Sequence, residues 1–291
     1  MKELFGWRSV DLARELARNY VRRARVLVPS PVKRRVKAML ARASENESNE
    51  RERLEQMPRY VAGQTQLFGR TIEFVDACTY LLMYNELFER QLYRFETASA
   101  HPLIIDGGAN IGLSSIYFKC LYPESKIIAF EADPVIFEVL RRNCSAFGLT
   151  EVELVPKALW GSETVLSFQP EGSLAGRICE GKQAGVGKTV ETRRLRDYLQ
   201  RPVALLKLDI EGAETEVLRD CADLLTNAEH IFVEHHSFLD RPQDLHIVIN
   251  LLQQAGFRLF IEPAAPAPQP LVQRNIICGM DVQLNIFGFR A

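Results

Sequence analysis

From residue 102 onward the chain alternates between short apolar, β-rich runs and stretches whose apolar positions recur at helical spacing. The runs cover residues 103–106, 126–131, 152–156, 164–168, 203–209, 231–234, 258–262 and 282–289. Helical patterns fall near 113–121, 134–147, 192–200, 213–225 and 242–255. Runs such as LIID and ALLKLD are apolar at every position but the last few. That is the pattern of parallel strands covered on both faces. Strand and helix in alternation predict a doubly wound α/β domain.

Upstream of this the pattern is different. Residues 9–28 read as a helix capped by Ser9 and ended by Pro29 and Pro31, with arginines flanking an apolar stripe. A polar linker follows at 43–53. Residues 65–75 predict two short strands around Gly69, and 76–96 an amphipathic helix covering one end of the sheet. The chain thus divides into a basic helical extension and linker (1–60), a hairpin and helix (61–100) and a main domain (101–291). Two loops are long for this architecture, the glycine-rich 169–188 and the proline-rich 263–270, and the first is a candidate lid.

Composition narrows the class. With 47% hydrophobic and 25% charged residues the chain builds a packed core. No apolar run approaches the roughly 20 residues a bilayer requires. The first residues are charged throughout and lack a signal-peptide core, so the cytoplasm is the expected compartment. The net charge of −1 conceals a split: residues 1–53 carry 14 Lys+Arg against 7 Asp+Glu, and the remainder is acidic. An acidic body argues against a nucleic-acid groove. The basic helix suits either an anionic membrane surface or packing on the main domain or a second subunit, and the oligomeric state stays open. Six scattered cysteines without a C-x-x-C pair predict neither a zinc site nor a disulfide framework.

The most informative segment is LIIDGGANIGLSSIYF, residues 103–118. A buried strand ends at Asp106, and glycines turn the chain into a helix where such sheets bind nucleotides. The glycines do not fit the G-x-G-x-x-G spacing of a nicotinamide fingerprint. Asp106, Gly108, Asn110 and Gly112 fit instead the D-x-G-x-N-x-G spacing of an S-adenosylmethionine loop. Asp106 would repel a phosphate and favour the ammonium and sulfonium charges of that cofactor. Glu131, about 20 residues after the turn, ends the next strand, where an acid accepts ribose hydroxyls. Ala158 in VPKALW is small enough to lie against an adenine ring.

Two later segments carry candidate chemistry. LLKLDIEGAETEVL, residues 205–218, delivers Lys207, Asp209 and Glu211 to the carboxyl end of the sheet; Asp209 and Glu211 share one face if the strand runs through them. HIFVEHHSF, residues 230–238, brings Glu234, His235 and His236 from a neighbouring strand. Either His235, whose unperturbed pKa suits a base at neutral pH, or Asp209, better placed by its motif, would accept the acceptor's proton, with Glu211 holding the substrate. The spacing assigns no metal, although Asp209, Glu211 and Glu234 carry the oxygen ligands a hard cation takes.

IDGGANIGLSSIYF, AFEADP and KLDIEGAE, in that order, resemble the FkbM family of S-adenosylmethionine-dependent methyltransferases. The likeness runs from about residue 66 to the end and includes NELFERQLYRF and DVQLNIFGFR. It implies a seven-stranded, Rossmann-like methyltransferase sheet with an antiparallel last strand. It also implies O-methylation, commonly of a sugar hydroxyl on a glycan or glycosylated metabolite. By motif match Asp106, Gly108, Asn110 and Gly112 would carry the methionine end of the cofactor, and Glu131 the ribose. A cofactor-fold binding module without catalysis and a nicotinamide oxidoreductase are the competing readings.

Overall fold

The computed structural model describes residues 47–169, 177–179, 188–264, 269–272 and 276–290. The predicted 9–28 helix and most of the glycine-rich 169–188 segment lie outside these residues. Helix α1 (Glu47–Glu55) leads into an antiparallel hairpin, β1 (Gly63–Leu67) and β2 (Arg70–Phe74). Helix α2 (Ala77–Tyr84) follows, its first turn capped by Asp76, which accepts from the Thr79 amide at 3.1 Å.

Sequence periodicity predicts this helix as far as residue 96; it stops sooner. It widens into a π-helical turn (Asn85–Glu89) and ends where Gln91 takes φ +56°. The apolar residues beyond that point pack as loop. Tyr93 meets Phe232 at 4.6 Å between ring centroids, so its burial comes from tertiary contact rather than from a helical stripe.

The main sheet is built from β3 (Leu103–Gly107), β4 (Lys126–Phe130), β5 (Val152–Val155), β10 (Val203–Leu208), β11 (Ala228–Phe238), β12 (Arg258–Pro263) and β13 (Met280–Phe289). Its order is β12-β13-β11-β10-β3-β4-β5. The five strands from β11 to β5 are parallel, and β13 lies antiparallel between β11 and β12. Helices α3 (Leu113–Leu121), α4 (Pro134–Ala146), α5 (Glu214–Asp220) and α6 (Leu245–Gln254) complete the α/β fold. The order reverses at β3: the next strands run one way to β4 and β5, and β10 and β11 lie the other way. The carboxyl ends of β3 and β10 therefore bracket the crevice where ligands bind in open α/β sheets.

Four more strands form a small second sheet of order β6-β9-β7-β8: β6 (Ala158–Leu159), β7 (Val165–Gln169), β8 (Arg177–Cys179) and β9 (Lys188–Arg193). The helix predicted at 192–200 is absent. Thr192 instead belongs to β9, where its hydroxyl donates to the Ser162 carbonyl at 2.7 Å, and only a short 3₁₀ turn (Leu195–Asp197) remains.

Strand alternation sorts the core into two layers. Ile104, Ile127 and Phe232 pack with α3 and with Leu54, Ile72 and Phe74 from the N-terminal segments. Ile105, Ile128 and Leu206 face the other way, with Val217, Val248 and Leu252. Among the described residues no helix is long and apolar enough to cross a membrane. The described cysteines Cys78, Cys120, Cys144, Cys221 and Cys278 are free thiols.

Candidate active site

The turn after β3 is shaped by backbone conformations that require glycine. Gly108 has φ +78°, and a Cβ there would stand 1.8 Å from the Asp209 carbonyl oxygen. Gly112 has φ +90°, and its Cβ would meet Leu140 at 2.7 Å, so helix α4 packs directly on the turn. Asn110 takes φ +48° and bonds the next amide through its own side chain at 2.8 Å. The turn is tied to its neighbours: Lys207 Nζ donates to the carbonyls of Gly107 at 3.1 Å and Gly108 at 2.8 Å.

Glu131 stands at the end of β4, facing this turn. One oxygen accepts the Asn110 amide at 3.0 Å and the other the Asp133 amide at 2.8 Å. Burial nevertheless outweighs these bonds and pushes its pKa up to about 7. Each oxygen keeps a further lone pair. Ala158 is buried nearby with Ala132 and Ile210 packed in the same small apolar cluster.

At the ends of β10 and β11 the side chains of Asp209, Glu234 and His236 converge. Nε2 of His236 lies 3.9 Å from Asp209 Oδ1, 3.8 Å from Glu234 Oε1 and 3.4 Å from Glu211 Oε2. Its Nδ1 is 3.0 Å from Glu214 Oε1, a buried carboxylate that also accepts the amides of Ile210 and Gly212. Burial disfavours charge on this imidazole, but Glu211, Glu214 and Glu234 together hold its pKa well above the ordinary value. Gln283 on β13 donates to Glu234 and lies 3.4 Å from His236 Nε2. Glu86, from the π-helical turn, faces the same space; burial and the Asp209 charge push its pKa up to about 7. Burial, with Asp209 beside it, raises Glu234 as well.

Three sequence expectations need correction. Asp106 does not face a ligand space. It is fully buried, accepts from Ser114 Oγ at 2.6 Å, and lies 3.3 Å from Lys207 Nζ, so its charge is consumed inside the protein. Asp209 and Glu211 do not share a strand face, because β10 stops at Leu208 and Glu211 takes φ +56°. They reach the same histidine through the turn instead. Most consequentially, the histidine of the cluster is His236, not His235. The two alternate across β11, so His235 points to the opposite face. There it is 1% exposed, neither ring nitrogen has a hydrogen-bond partner, and the nearest carboxylate, Asp244, is 3.8 Å away. Burial lowers its pKa.

This difference gives a direct test. His235→Leu removes buried polar nitrogens that bond nothing, so the variant is expected to fold with equal stability or with a gain of up to about 1–3 kcal/mol. Any catalytic turnover should be retained. Denaturant unfolding and a turnover assay check both; a tenfold or greater loss of turnover would return His235 to the site.

Residues 106–259 match the methyltransferase FkbM domain. The methyltransferase sdnD of Sordaria araneosa is 33% identical over 173 residues, covering 47% of this chain and 67% of that protein. The 31-O-demethyl-FK506 methyltransferase FkbM of Streptomyces tacrolimicus is 26% identical over 67% of this chain and 88% of its own length. The hexuronic acid methyltransferase AglP of Haloferax volcanii is 28% identical over 55% and 65%. The matched domain begins at Asp106 and spans the glycine turn, Glu131 and the whole Asp209–His236 cluster, and by that match the chain belongs to the FkbM family of methyltransferases.

Proposed function

We propose that this chain transfers a methyl group from S-adenosylmethionine to a hydroxyl of a sugar or glycosylated acceptor. One observation carries the reading: the glycine turn and the buried Glu131 meet an acidic cluster at a single switch point of the sheet. The residues suit the cofactor. Glu131 has lone pairs to spare and a charge that its two amide donors do not fully stabilise, which is what two ribose hydroxyls would complete. Ala158 and Ile210 offer apolar surface for a base. When bound, the cofactor supplies a methyl group made electrophilic by its sulfonium. The partly exposed Asp209 carboxylate lies on the side of the crevice where a sulfonium would be stabilised.

The cluster at the ends of β10 and β11 would meet the acceptor. Asp209, with its side chain 26% exposed, is the member best placed to take the hydroxyl proton, and Glu211 to hold a neighbouring oxygen. Relatives named for O-methylation and for a hexuronic acid support an oxygen on a sugar or glycosylated acceptor. Incubation with methyl-labelled S-adenosylmethionine and a panel of glycosides tests it. Label in a base-stable methyl ether is the expected product; label released by mild base as an ester, or none on any hydroxyl acceptor, would contradict it.

Glu131 adds a pH signature. A protonated carboxyl cannot accept from both ribose hydroxyls, and burial places its pKa at about 7. Below that pH, binding must expel a proton, so affinity falls; above it, the carboxylate is ready. S-adenosylhomocysteine affinity is therefore expected to rise about tenfold from about pH 6 to about pH 8, and the Glu131→Gln variant to lose the dependence. Calorimetric titration at the two pH values checks this; a flat wild-type profile would contradict the assignment.

A further inference from the structure

We propose that Asp209, Glu234 and His236 hold a divalent cation. Each offers one donor atom, and these atoms all lie within 4.8 Å of one another. Around an ion with bonds of about 2.2 Å, donors sit about 3.1 Å apart when adjacent and about 4.4 Å apart when opposite. The His236–Asp209 and His236–Glu234 separations of 3.9 and 3.8 Å fall between these limits, so small side-chain movements close the site.

The histidine is held as a ligand is held. Its Nδ1 side is occupied by Glu214, a carboxylate buried with it and fixed by two backbone amides. When Nδ1–H donates to Glu214, the lone pair lies on Nε2 and points at Asp209 and Glu234. A carboxylate bonded to the far nitrogen of a metal-bound imidazole is the recurring outer arrangement of such sites. Gln283 covers Nε2 with its amide nitrogen; turned over, the same side chain offers oxygen to the ion.

Oxygen donors crowd this place: besides Asp209 and Glu234, Glu211 Oε2 lies 3.4 Å from His236 Nε2. Lys207 is drawn toward Asp106 and the turn carbonyls, 3.6 Å from Asp209. Two carboxylates and one imidazole, with no thiolate, suit a hard or borderline ion such as Mg²⁺, Mn²⁺ or Fe²⁺. The ion would coordinate an acceptor hydroxyl, or two adjacent ones, and lower the hydroxyl pKa. That role rests on the function proposed above; the binding of the ion does not.

Manganese serves as the probe. Mn²⁺ is titrated into the full chain without cofactor or acceptor, and free ion is followed by electron paramagnetic resonance. One ion per chain is expected to bind tighter than about 1 mM, the weak end of oxygen-ligand sites. The bound signal should carry nitrogen modulation from one imidazole. Asp209→Asn keeps the shape of a partly exposed side chain and should weaken binding at least tenfold; Glu234→Gln provides the same test should the first variant misfold. Absence of a bound ion, absence of nitrogen coupling, or unchanged affinity in a folded variant would overturn the proposal. Bound Mn²⁺ in a protein that methylates no hydroxyl would leave the site standing and sink the functional reading. Methyl transfer unaffected by chelators, with no bound Mn²⁺, would do the reverse.

Discussion

Lys207→Met is expected to cost about 3–5 kcal/mol of folding stability, the usual result of removing one partner from a buried ion pair. Lys207 and Asp106 are cross-strand partners on β10 and β3, and both are buried. Without the ammonium, Asp106 keeps its serine donor but loses the countercharge beneath the glycine turn. The Gly107 and Gly108 carbonyls lose the ammonium in the same step, and Gly107 keeps the Asp209 amide. Burial disfavours the lysine charge, but Asp106 and Asp209 outweigh it and raise the pKa above 10.5. The pair's contribution is therefore complete at neutral pH and is lost only as alkaline pH passes through that raised value. Denaturant unfolding of Lys207→Met, Asp106→Asn and the double variant checks it. The double variant should recover part of the loss, since no charge is then left unpaired. A single-variant loss below about 1 kcal/mol would mean that water reaches the pair.

The second large effect falls on chemistry. Asp209→Asn is expected to lower methyl transfer by about 10²–10⁴-fold, the range that a positioned proton acceptor supplies. S-adenosylhomocysteine affinity should change little, because Asp209 touches the turn through its backbone, whose amide donates to the Gly107 carbonyl at 3.1 Å and survives the substitution. The contrast with His235→Leu is informative: one variant alters the crevice face of the sheet, the other its opposite face. Equal losses in both would mean that turnover reports on folding rather than on a site. Near wild-type turnover in Asp209→Asn would place the proton acceptor elsewhere.

The sheet was legible because its strands are apolar on both faces, and strands of that kind sit only in a covered parallel sheet. Glycine spacing was legible because a backbone that passes 1.8 Å from where a side chain would stand leaves one residue type, and Glu131 because it ends an apolar run. Side-chain partners were not. Asp106 reads in the sequence as an acid beside a ligand, and only strand order shows that Lys207 neutralises it. The pair His235–His236 could have been resolved by parity alone. Glu234 and His236 are two residues apart on one strand and must share a face, whereas preference for His235 rested on the ordinary pKa of an imidazole. Glu86 had no local signal. It reaches the site because a helix widens by a turn before Gln91, and nothing in NELFERQ marks that widening.

The proposed S-adenosylmethionine site lies at the turn of Gly108 and the buried Glu131. Calorimetric titration of S-adenosylhomocysteine into the wild-type chain and into Glu131→Ala at about pH 8 tests it most directly. The wild type is expected to bind one equivalent. The variant, missing two charge-assisted hydrogen bonds worth about 1.5–3 kcal/mol each before water compensates, should bind at least tenfold more weakly. Absence of binding to the wild type, or equal affinity in a folded Glu131→Ala, would contradict it.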